Sequence, residues 1–148
     1  MNITSIFENR AEIPEKYTCL GININPPLHF HEVPLNTKSL VLILEDIDAA
    51  PAWTHWHVYD ISPDTISISE GQFPHRAKDG LCNNHTLGYE GPCPKYFKGR
   101  HEYLFSLYAL DERPTFNKHP EPDEMLATIK GSIIEKAELR FYCSAPSY

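Results

Sequence analysis

The sequence predicts a mainly β protein, and three features support that prediction. The 148 residues include 13 prolines but only 7 glycines, and proline fixes φ and removes a backbone donor, which favours short strands joined by rigid loops. The prolines stand at the edges of apolar runs that are rich in β-branched and aromatic residues, as strands are. Only one segment has the periodicity of an amphipathic helix.

Four long runs predict the main strands. Leu40–Glu45 is apolar up to its last residue, as expected for a central strand that is buried on both faces. Trp53–Ile61 and Tyr103–Leu110 are aromatic and β-branched, and Ala137–Cys143 is expected to be the last strand of the chain. Two shorter strands are expected at Leu28–His31 and Ile66–Ser69.

One amphipathic helix is predicted over Asp123–Glu135. Pro122 suits its first turn, and the acidic Asp123 and Glu124 suit the positive end of the helix dipole. Gly131 interrupts the pattern, so an irregularity is expected there. The apolar face of the helix recurs at spacings of three or four and consists of Met125, Ile129, Ile133 and Ile134.

Composition and charge exclude several function classes. The length suits a single domain, which we predict over residues 1–148. A formal net charge of -7 argues against a nucleic-acid-binding protein, because such proteins carry a basic surface. No run approaches the roughly 18 apolar residues of a membrane span, and the N-terminus lacks the pattern of a secretory signal. We therefore expect a soluble protein that is located in the cytoplasm.

The four cysteines are expected to be reduced and structural. Cys19, Cys82, Cys93 and Cys143 lie far apart and include no CxxC pair, so zinc-ribbon and thioredoxin motifs are absent from the sequence. A domain of this size builds a core without disulfides.

Two predicted strands carry pairs of polar residues that point to a binding site. Asp46 and Asp48 follow the buried Leu40–Glu45 run, and alternation along a strand turns both to the same side. Carboxylates at the end of a buried strand require cations or hydrogen-bond donors nearby. His55 and His57 are likewise expected to share one face of the next strand.

A long polar segment precedes the third strand. Residues Glu70–Arg100 are rich in Gly, Asn, Pro and His, and loops of this length inside compact domains usually serve a function. The loop contains Gly91-Pro92-Cys93-Pro94, and His101 follows its last residue at the start of the next strand.

These segments together resemble a known family. In their order along the chain they are similar to the phosphatidylethanolamine-binding proteins, also called Raf kinase inhibitor-like proteins, in the short bacterial and archaeal form. The resemblance implies a large antiparallel sheet packed on smaller sheets, with one or two peripheral helices. The matching segments are Ile13–Cys19, Asn25–Leu28, Val33–Ala49, Trp53–Ile61, Gly88–Pro94 and Gly99–Asp111.

The resemblance also implies a ligand and a set of site residues. The family binds anions such as phosphate, or a phospholipid head group such as phosphoethanolamine, in a small pocket without a cofactor. Relatives are described as inhibitors of kinases or proteases, so a protein partner of that kind is implied, and whether two copies of this chain pair is left open. The implied ligand-binding residues are Asp46, Asp48, His55, Gly91, Pro94, His101 and Tyr103, with His57 and Arg100 as further candidates.

The sequence departs from the family pattern in two places. Ile47 and Ala50 stand where the acidic motif normally carries prolines, which should loosen the loop after the strand, although Pro51 restores some stiffness. The other departure changes a charge. Glu102 stands where the family motif has arginine, and Arg100 appears two positions earlier. A carboxylate cannot replace a guanidinium group because the charge inverts. Either Arg100 turns into the pocket to compensate, or this part of the pocket is built differently.

The site residues suggest a binding mechanism. A carboxylate beside a histidine raises the histidine pKa, and the resulting imidazolium donates to an anion. We expect Asp46 to charge His55 or His101, while Tyr103 and a backbone N–H near Gly91 donate neutral hydrogen bonds. Phosphate-type ligands should then bind more tightly at low pH.

Two alternatives to a binding module stay open, although we favour the module over an enzyme. One is a hydrolase in which Cys93 pairs with His101, since no Gly-x-Ser-x-Gly motif is present. The other is a metal-dependent enzyme whose ligands are Asp46, His55, His57 and His101. For His57 itself, a structural role is favoured over a role in binding.

Overall fold

A computed structural model describes residues 1–146, which form nine strands and one α-helix. A short 3-10 helix spans Glu15–Tyr17. In chain order the elements are β1 (Asn2–Ser5), β2 (Ala11–Glu12), β3 (Leu28–His31), β4 (Ser39–Asp46), β5 (Trp53–Ile61), β6 (Ser67–Ile68), β7 (Lys78–Asp79), β8 (Arg100–Leu110), α1 (Pro122–Ile129) and β9 (Ile133–Ser144).

The strands form a large sheet and a small one. The large sheet has the order β2-β9-β8-β4-β5-β7, and the small sheet has the order β1-β3-β6. Every strand pair is antiparallel except β2 with β9, which is parallel. The sequence prediction of a mainly β fold is therefore confirmed, as is the large antiparallel sheet packed on a smaller one.

Strand β4 lies at the centre of the large sheet and is buried on both faces. Because side chains alternate along a strand, Leu42 and Leu44 pack into the core between the two sheets. On the other face, Ile43 packs into a second core that α1 covers with Met125 and Ile129. This explains why the sequence of β4 is continuously apolar.

The predicted strands are confirmed, with different ends. Strand β8 begins at Arg100 and β9 begins at Ile133, both earlier than expected, while β6 is confined to Ser67–Ile68. Strands β1, β2 and β7 were not predicted. They have only two to four residues each, which is too short for an alternating pattern to be recognised.

The predicted helix is wrong in its second half. Helix α1 ends at Ile129, where the N–H of Ser132 donates to the Ile129 carbonyl and closes a turn around Gly131. Ile133 then pairs with Leu110 as the first residue of β9. In residues 1–146, no helix has the length and the apolar character needed to cross a bilayer.

The expectation of four reduced cysteines is wrong for two of them. Cys19 and Cys93 form a disulfide across 74 residues of sequence. The fold brings the two cysteines together, because the Cys19 N–H donates to the carbonyl of Pro92, the residue before Cys93. The spacing of the cysteines in the sequence gives no sign of this disulfide. Cys82 and Cys143 are buried thiols, and burial raises the pKa of each to about 12.

Candidate functional site

One end of the large sheet gathers four of the predicted site residues. Asp46 ends β4, where it pairs with Tyr103 of β8 on one side and with Trp53 of β5 on the other. His101 is the second residue of β8, and the ring of His55 lies edge-on to the Tyr103 ring at 5.3 Å. We call Asp46, His55, His101 and Tyr103 the rim site.

Asp46 is the anchor of the rim site. Its Oδ1 accepts the backbone N–H groups of Asp48 and Ala49 at 3.0 and 3.1 Å, and its Oδ2 lies 2.7 Å from Nδ1 of His101. The residue is only 5% exposed, and a buried carboxylate is tolerated only when donors of this kind meet it. Because both oxygens are occupied, Asp46 orients His101 and leaves direct ligand contact to other residues.

The hydrogen bond to Asp46 determines which nitrogen of His101 faces a ligand. A carboxylate accepts, so Nδ1 carries the proton and Nε2 is available at the other side of the ring. The ring of Phe97 stacks on the imidazole with centroids 3.9 Å apart. The His101 side chain is partly exposed. In the neutral ring, Nε2 presents a lone pair, whereas in the protonated ring it is a hydrogen-bond donor.

An irregularity in β5 turns His55 towards the rim site. Leu44 pairs with Trp56 but the next residue, Glu45, pairs with Thr54, so His55 is the extra residue of a bulge. Bulges re-aim side chains and are frequent beside binding sites. Nδ1 of His55 lies 2.7 Å from the carbonyl of Glu90, which can only accept, so Nδ1 carries the proton here too.

Of the two histidines that Asp46 was expected to charge, His55 is not held in the charged form, because its pKa is lowered overall. Burial is the largest effect and lowers the pKa of His55, although the Glu90 carbonyl and the Asp46 charge act in the opposite direction. His55 is therefore neutral near pH 7, with its Nε2 as an acceptor.

His57 is separated from the rim site by the same bulge. The expectation that His55 and His57 share a face is wrong, because His57 lies beside Tyr59 and not beside Tyr103. It is fully buried, and its Nδ1 donates to the Leu81 carbonyl at 3.1 Å. His57 is therefore part of the protein interior, which agrees with the structural role that the sequence analysis favoured for it.

Asp48 and Tyr103 support the rim site in different ways. Asp48 is exposed, and its Oδ2 accepts the backbone N–H of Glu102 at 2.7 Å, which ties the end of β4 to the start of β8. Tyr103 is buried and stacks on Phe141 at 5.2 Å. Burial chiefly, and the nearby Asp46 charge in addition, raise the pKa of Tyr103, so its hydroxyl stays protonated.

Gly91 and Pro94 belong to the loop before β8. The N–H of Gly91 donates to Oδ1 of Asn23 at 2.9 Å, so it is not free to be the backbone donor that was expected near Gly91. A Cβ at position 91 would overlap the carbonyl oxygen of Tyr17, so only glycine fits. Pro94 is buried and lines a groove of about 620 Å³ together with Phe97.

Glu102 and Arg100, the residues of the altered family motif, both lie on the face of the sheet opposite His101. Arg100 alternates away from His101, and its guanidinium carbon lies 3.8 Å from the centroid of the Tyr142 ring. Glu102 also faces away, and its Oε2 lies 3.1 Å from Nη1 of Arg140. Of the two alternatives for Arg100, the one in which it turns into the pocket is therefore wrong.

The structure does not support the groups proposed for the hydrolase and for the metal-dependent enzyme. Cys93 is bonded to Cys19, so it has no thiol to pair with His101. Of the proposed metal ligands, Asp46, His55 and His101 meet in the rim site, whereas His57 lies apart from them. Across residues 1–146, no group of three or more His, Cys, Asp or Glu side chains is arranged to hold a metal ion.

Sequence reasoning missed two residues that shape the rim site. Phe97 stacks on His101, and the carbonyl of Glu90 fixes the orientation of His55. An aromatic residue inside a polar loop was a signal for Phe97. No sequence signal exists for Glu90, because its contribution comes from the backbone.

Comparisons with known proteins give consistent matches over the whole fold. A family model described as phosphatidylethanolamine-binding protein matches residues 3–144. UPF0098 proteins of Methanothermobacter thermautotrophicus and Chlamydia trachomatis are each 40% identical over 146 residues, covering 94% of this chain and 95% of the relative.

Two solved structures are similar as well. A crystal structure named as a phosphatidylethanolamine-binding protein homologue of Chlamydia trachomatis has a TM-score of 0.88 at 37% identity, with 95% of both chains covered. The Escherichia coli protein YbcL, named as a member of the mammalian family, has a TM-score of 0.88 at 21% identity, with 98% of both chains covered. The second likeness bears on the fold alone.

Proposed function

The chain belongs to the phosphatidylethanolamine-binding protein family, and from that premise we propose that it binds a small oxyanion at the rim site. The ligand is phosphate or a phosphorylated head group such as phosphoethanolamine. The observation that carries the proposal is the 2.7 Å hydrogen bond from Nδ1 of His101 to Asp46. It fixes the proton on Nδ1 and directs the other ring nitrogen of His101 outward, towards a ligand.

The two histidines have different roles in this proposal. His101 becomes the charged donor when Nε2 takes a proton, because Asp46 balances the positive charge. His55 is neutral, and its Nε2 accepts a hydrogen bond from a protonated phosphate oxygen or from the ammonium group of a head group. Asp48 is a positioning residue, since its carboxylate is bound to the backbone of β8.

The proposal is tested by calorimetric titration with inorganic phosphate, phosphoethanolamine and ethanolamine. We expect both phosphorylated compounds to bind, and ethanolamine alone not to bind. His101→Gln should weaken phosphate binding by roughly tenfold or more, since a hydrogen bond to a charged group contributes about 1.5–3 kcal/mol. The matched control is His75→Gln, because His75 is an exposed histidine of the loop before β7.

Equal affinity in the wild type and in His101→Gln would contradict the proposal, provided that circular dichroism gives the same spectrum for both. An equal loss in His75→Gln would contradict it as well, since that result would indicate a general effect of histidine charge.

Regulation of a kinase or protease partner remains a proposal that rests on family membership. Two exposed aromatic residues are available to such a partner: Trp53, which pairs with Asp46, and Tyr96 in the loop before β8. Enzyme inhibition by the purified chain, measured with and without phosphate, tests it. We expect inhibition to change when the rim site is filled.

The cytoplasmic location also remains a prediction, and the disulfide weighs against it. Disulfides persist mainly in oxidising compartments, while cytoplasmic thiols are usually kept reduced. The Cys19–Cys93 bond joins the segment after the 3-10 helix to the loop beside the rim site.

A further inference from the structure

A small pocket lies at the opposite end of the large sheet from the rim site. Its walls come from the start of β4, the end of β5, the loop before β7 and the segment after β8, and its volume is about 200 Å³. Because β4 has eight residues at about 3.3 Å each, the two sites are about 25 Å apart. We call it the basic pocket, and it is lined by Lys38, Asp60, Ser62, Pro63, Arg76 and Arg113.

Positive charge is concentrated in the basic pocket although the protein is acidic. Three of its six lining residues are cationic, while the formal net charge of the chain is -7. Among residues 1–146, the ion pairs of this region join Asp60 to Arg113 and Lys78, and neither Lys38 nor Arg76 takes part in them. Two cations therefore face the pocket without a carboxylate to balance them.

The one carboxylate of the basic pocket orients an arginine. Arg113 donates from Nε to Oδ1 of Asp60 at 2.9 Å and from Nη2 to Oδ2 at 3.1 Å, and Nζ of Lys78 lies 3.6 Å from Oδ2. The hydrogen bond from Arg113 is the main cause that lowers the pKa of Asp60. Asp60 is thus ionised and balanced by these cations, and it fixes the orientation of the Arg113 guanidinium group.

The backbone of the basic pocket is strained at two of its lining residues. Asp60 has a φ of 52° and Arg76 has a φ of 61°, which is the left-handed region that non-glycine residues rarely adopt. Such conformations cost free energy and occur often at binding sites, where they place side chains that regular structure could not place.

We propose that the basic pocket is a second anion-binding site and that it binds a phosphoryl group. Its volume is below the roughly 300–1,000 Å³ of pockets that hold drug-sized organic ligands, so it suits a small charged group. Lysine contributes a point charge, the arginine fork binds adjacent oxygens, and the Ser62 hydroxyl can donate as well. A tetrahedral phosphoryl group offers oxygens in all of these directions, whereas a planar carboxylate offers only two.

The test is a titration of the isotope-labelled full chain with inorganic phosphate, followed by backbone amide NMR shifts. We expect two separate groups of saturating shifts, one around Lys38, Ser62 and Arg76, and one around the start of β8. A parallel titration with phosphoserine shows whether free phosphate or a phosphate ester is bound more tightly at each group.

A double variant separates the two sites. In Lys38→Gln/Arg76→Gln we expect phosphate affinity at the basic pocket to fall roughly tenfold or more, since charge-assisted hydrogen bonds are lost. The shifts around the start of β8 should saturate as in the wild type. The matched control is Arg10→Gln/Lys130→Gln, which removes the same charge from exposed positions elsewhere.

Three outcomes overturn the proposal: no saturating shifts around the basic pocket in the wild type, unchanged affinity there in Lys38→Gln/Arg76→Gln, or an equal loss in the control. The wild-type titration keeps the proposal falsifiable even if the double variant fails to fold. The rim-site proposal is tested separately, because His101→Gln should change only the shifts around the start of β8 and not those around the basic pocket.

Discussion

Nδ1 of His101 lies 2.7 Å from Oδ2 of Asp46, although 55 residues separate them in sequence. The register of β4 with β8 places Asp46 opposite Tyr103, so a histidine two positions earlier reaches back to the carboxylate. The contact fixes the proton on Nδ1, and Nε2 is therefore the ring nitrogen of His101 that a ligand meets.

Oxyanion affinity should rise towards the acidic end of the range from pH 5 to 8, in which histidines titrate. Burial lowers the pKa of His55, so His55 is neutral in the upper part of this range. Its positive charge adds to the affinity for an anion only at the acidic end. Sulfate is the probe for calorimetry, because its charge is constant over these pH values.

We expect the dissociation constant for sulfate to rise about tenfold or more over that range in the wild type. The control is His55→Gln, in which the change should be much smaller, because the group whose charge changes is removed. A wild-type affinity that stays constant from pH 5 to 8 would rule out the imidazolium mechanism.

The thiol count of the denatured protein should reveal the Cys19–Cys93 disulfide. Without reductant two thiols should react, those of Cys82 and Cys143, and after reduction all four cysteines should react. In the native protein even those two should react slowly, because burial raises the pKa of each to about 12. Mass spectrometry after alkylation provides the measurement.

Loss of the same disulfide should destabilise the protein. The bond closes 74 residues of sequence, for which the chain-entropy model gives about 4 kcal/mol of unfolding free energy. Urea unfolding of Cys19→Ser should show this loss, and Cys19→Ser/Cys93→Ser should show the same loss, since either change breaks the bond. Four reactive thiols before reduction would contradict both predictions.

The sequence allowed most of the fold and part of the site to be predicted. Strand β4 was recognisable because burial on both faces leaves a continuous apolar run, and the resemblance of the ordered segments placed Asp46 and His101 in one site. The second half of the helix was mispredicted since Ile133 and Ile134 suit a helical face and a strand equally well.

Other features depend on contacts that no local pattern records. The bulge at His55 and the disulfide of Cys19 with Cys93 both arise from the way distant segments meet. The partner of Glu102 is Arg140, which lies on β9 and comes beside it only through the pairing of β8 with β9.

Gly80 should be intolerant of a side chain. A Cβ at position 80 would overlap the imidazole of His57, which cannot move because it is fully buried and bonded to the Leu81 carbonyl. Gly80→Ala should therefore lower the free energy of unfolding by about 2 kcal/mol or more. The control is Gly131→Ala, since no heavy atom lies within 4 Å of a Cβ at position 131.

A double-mutant cycle shows whether the cause is this overlap. Gly80→Ala/His57→Ala should be less destabilised than the sum of the two single variants, because removing the ring makes room for the new methyl group. Simple additivity in urea unfolding would refute the steric explanation.

Restoring the family arginine at position 102 should affect stability and not oxyanion binding. Glu102 pairs with Arg140 at 3.1 Å on the face away from His101, so Glu102→Arg places two arginines together. The pair is partly exposed, and we therefore expect a loss of about 1 kcal/mol or less. The charge-swapped variant Glu102→Arg/Arg140→Glu should recover most of it. Because this double variant keeps the net charge, its sulfate affinity should equal that of the wild type, and a change of several-fold would place position 102 within the rim site.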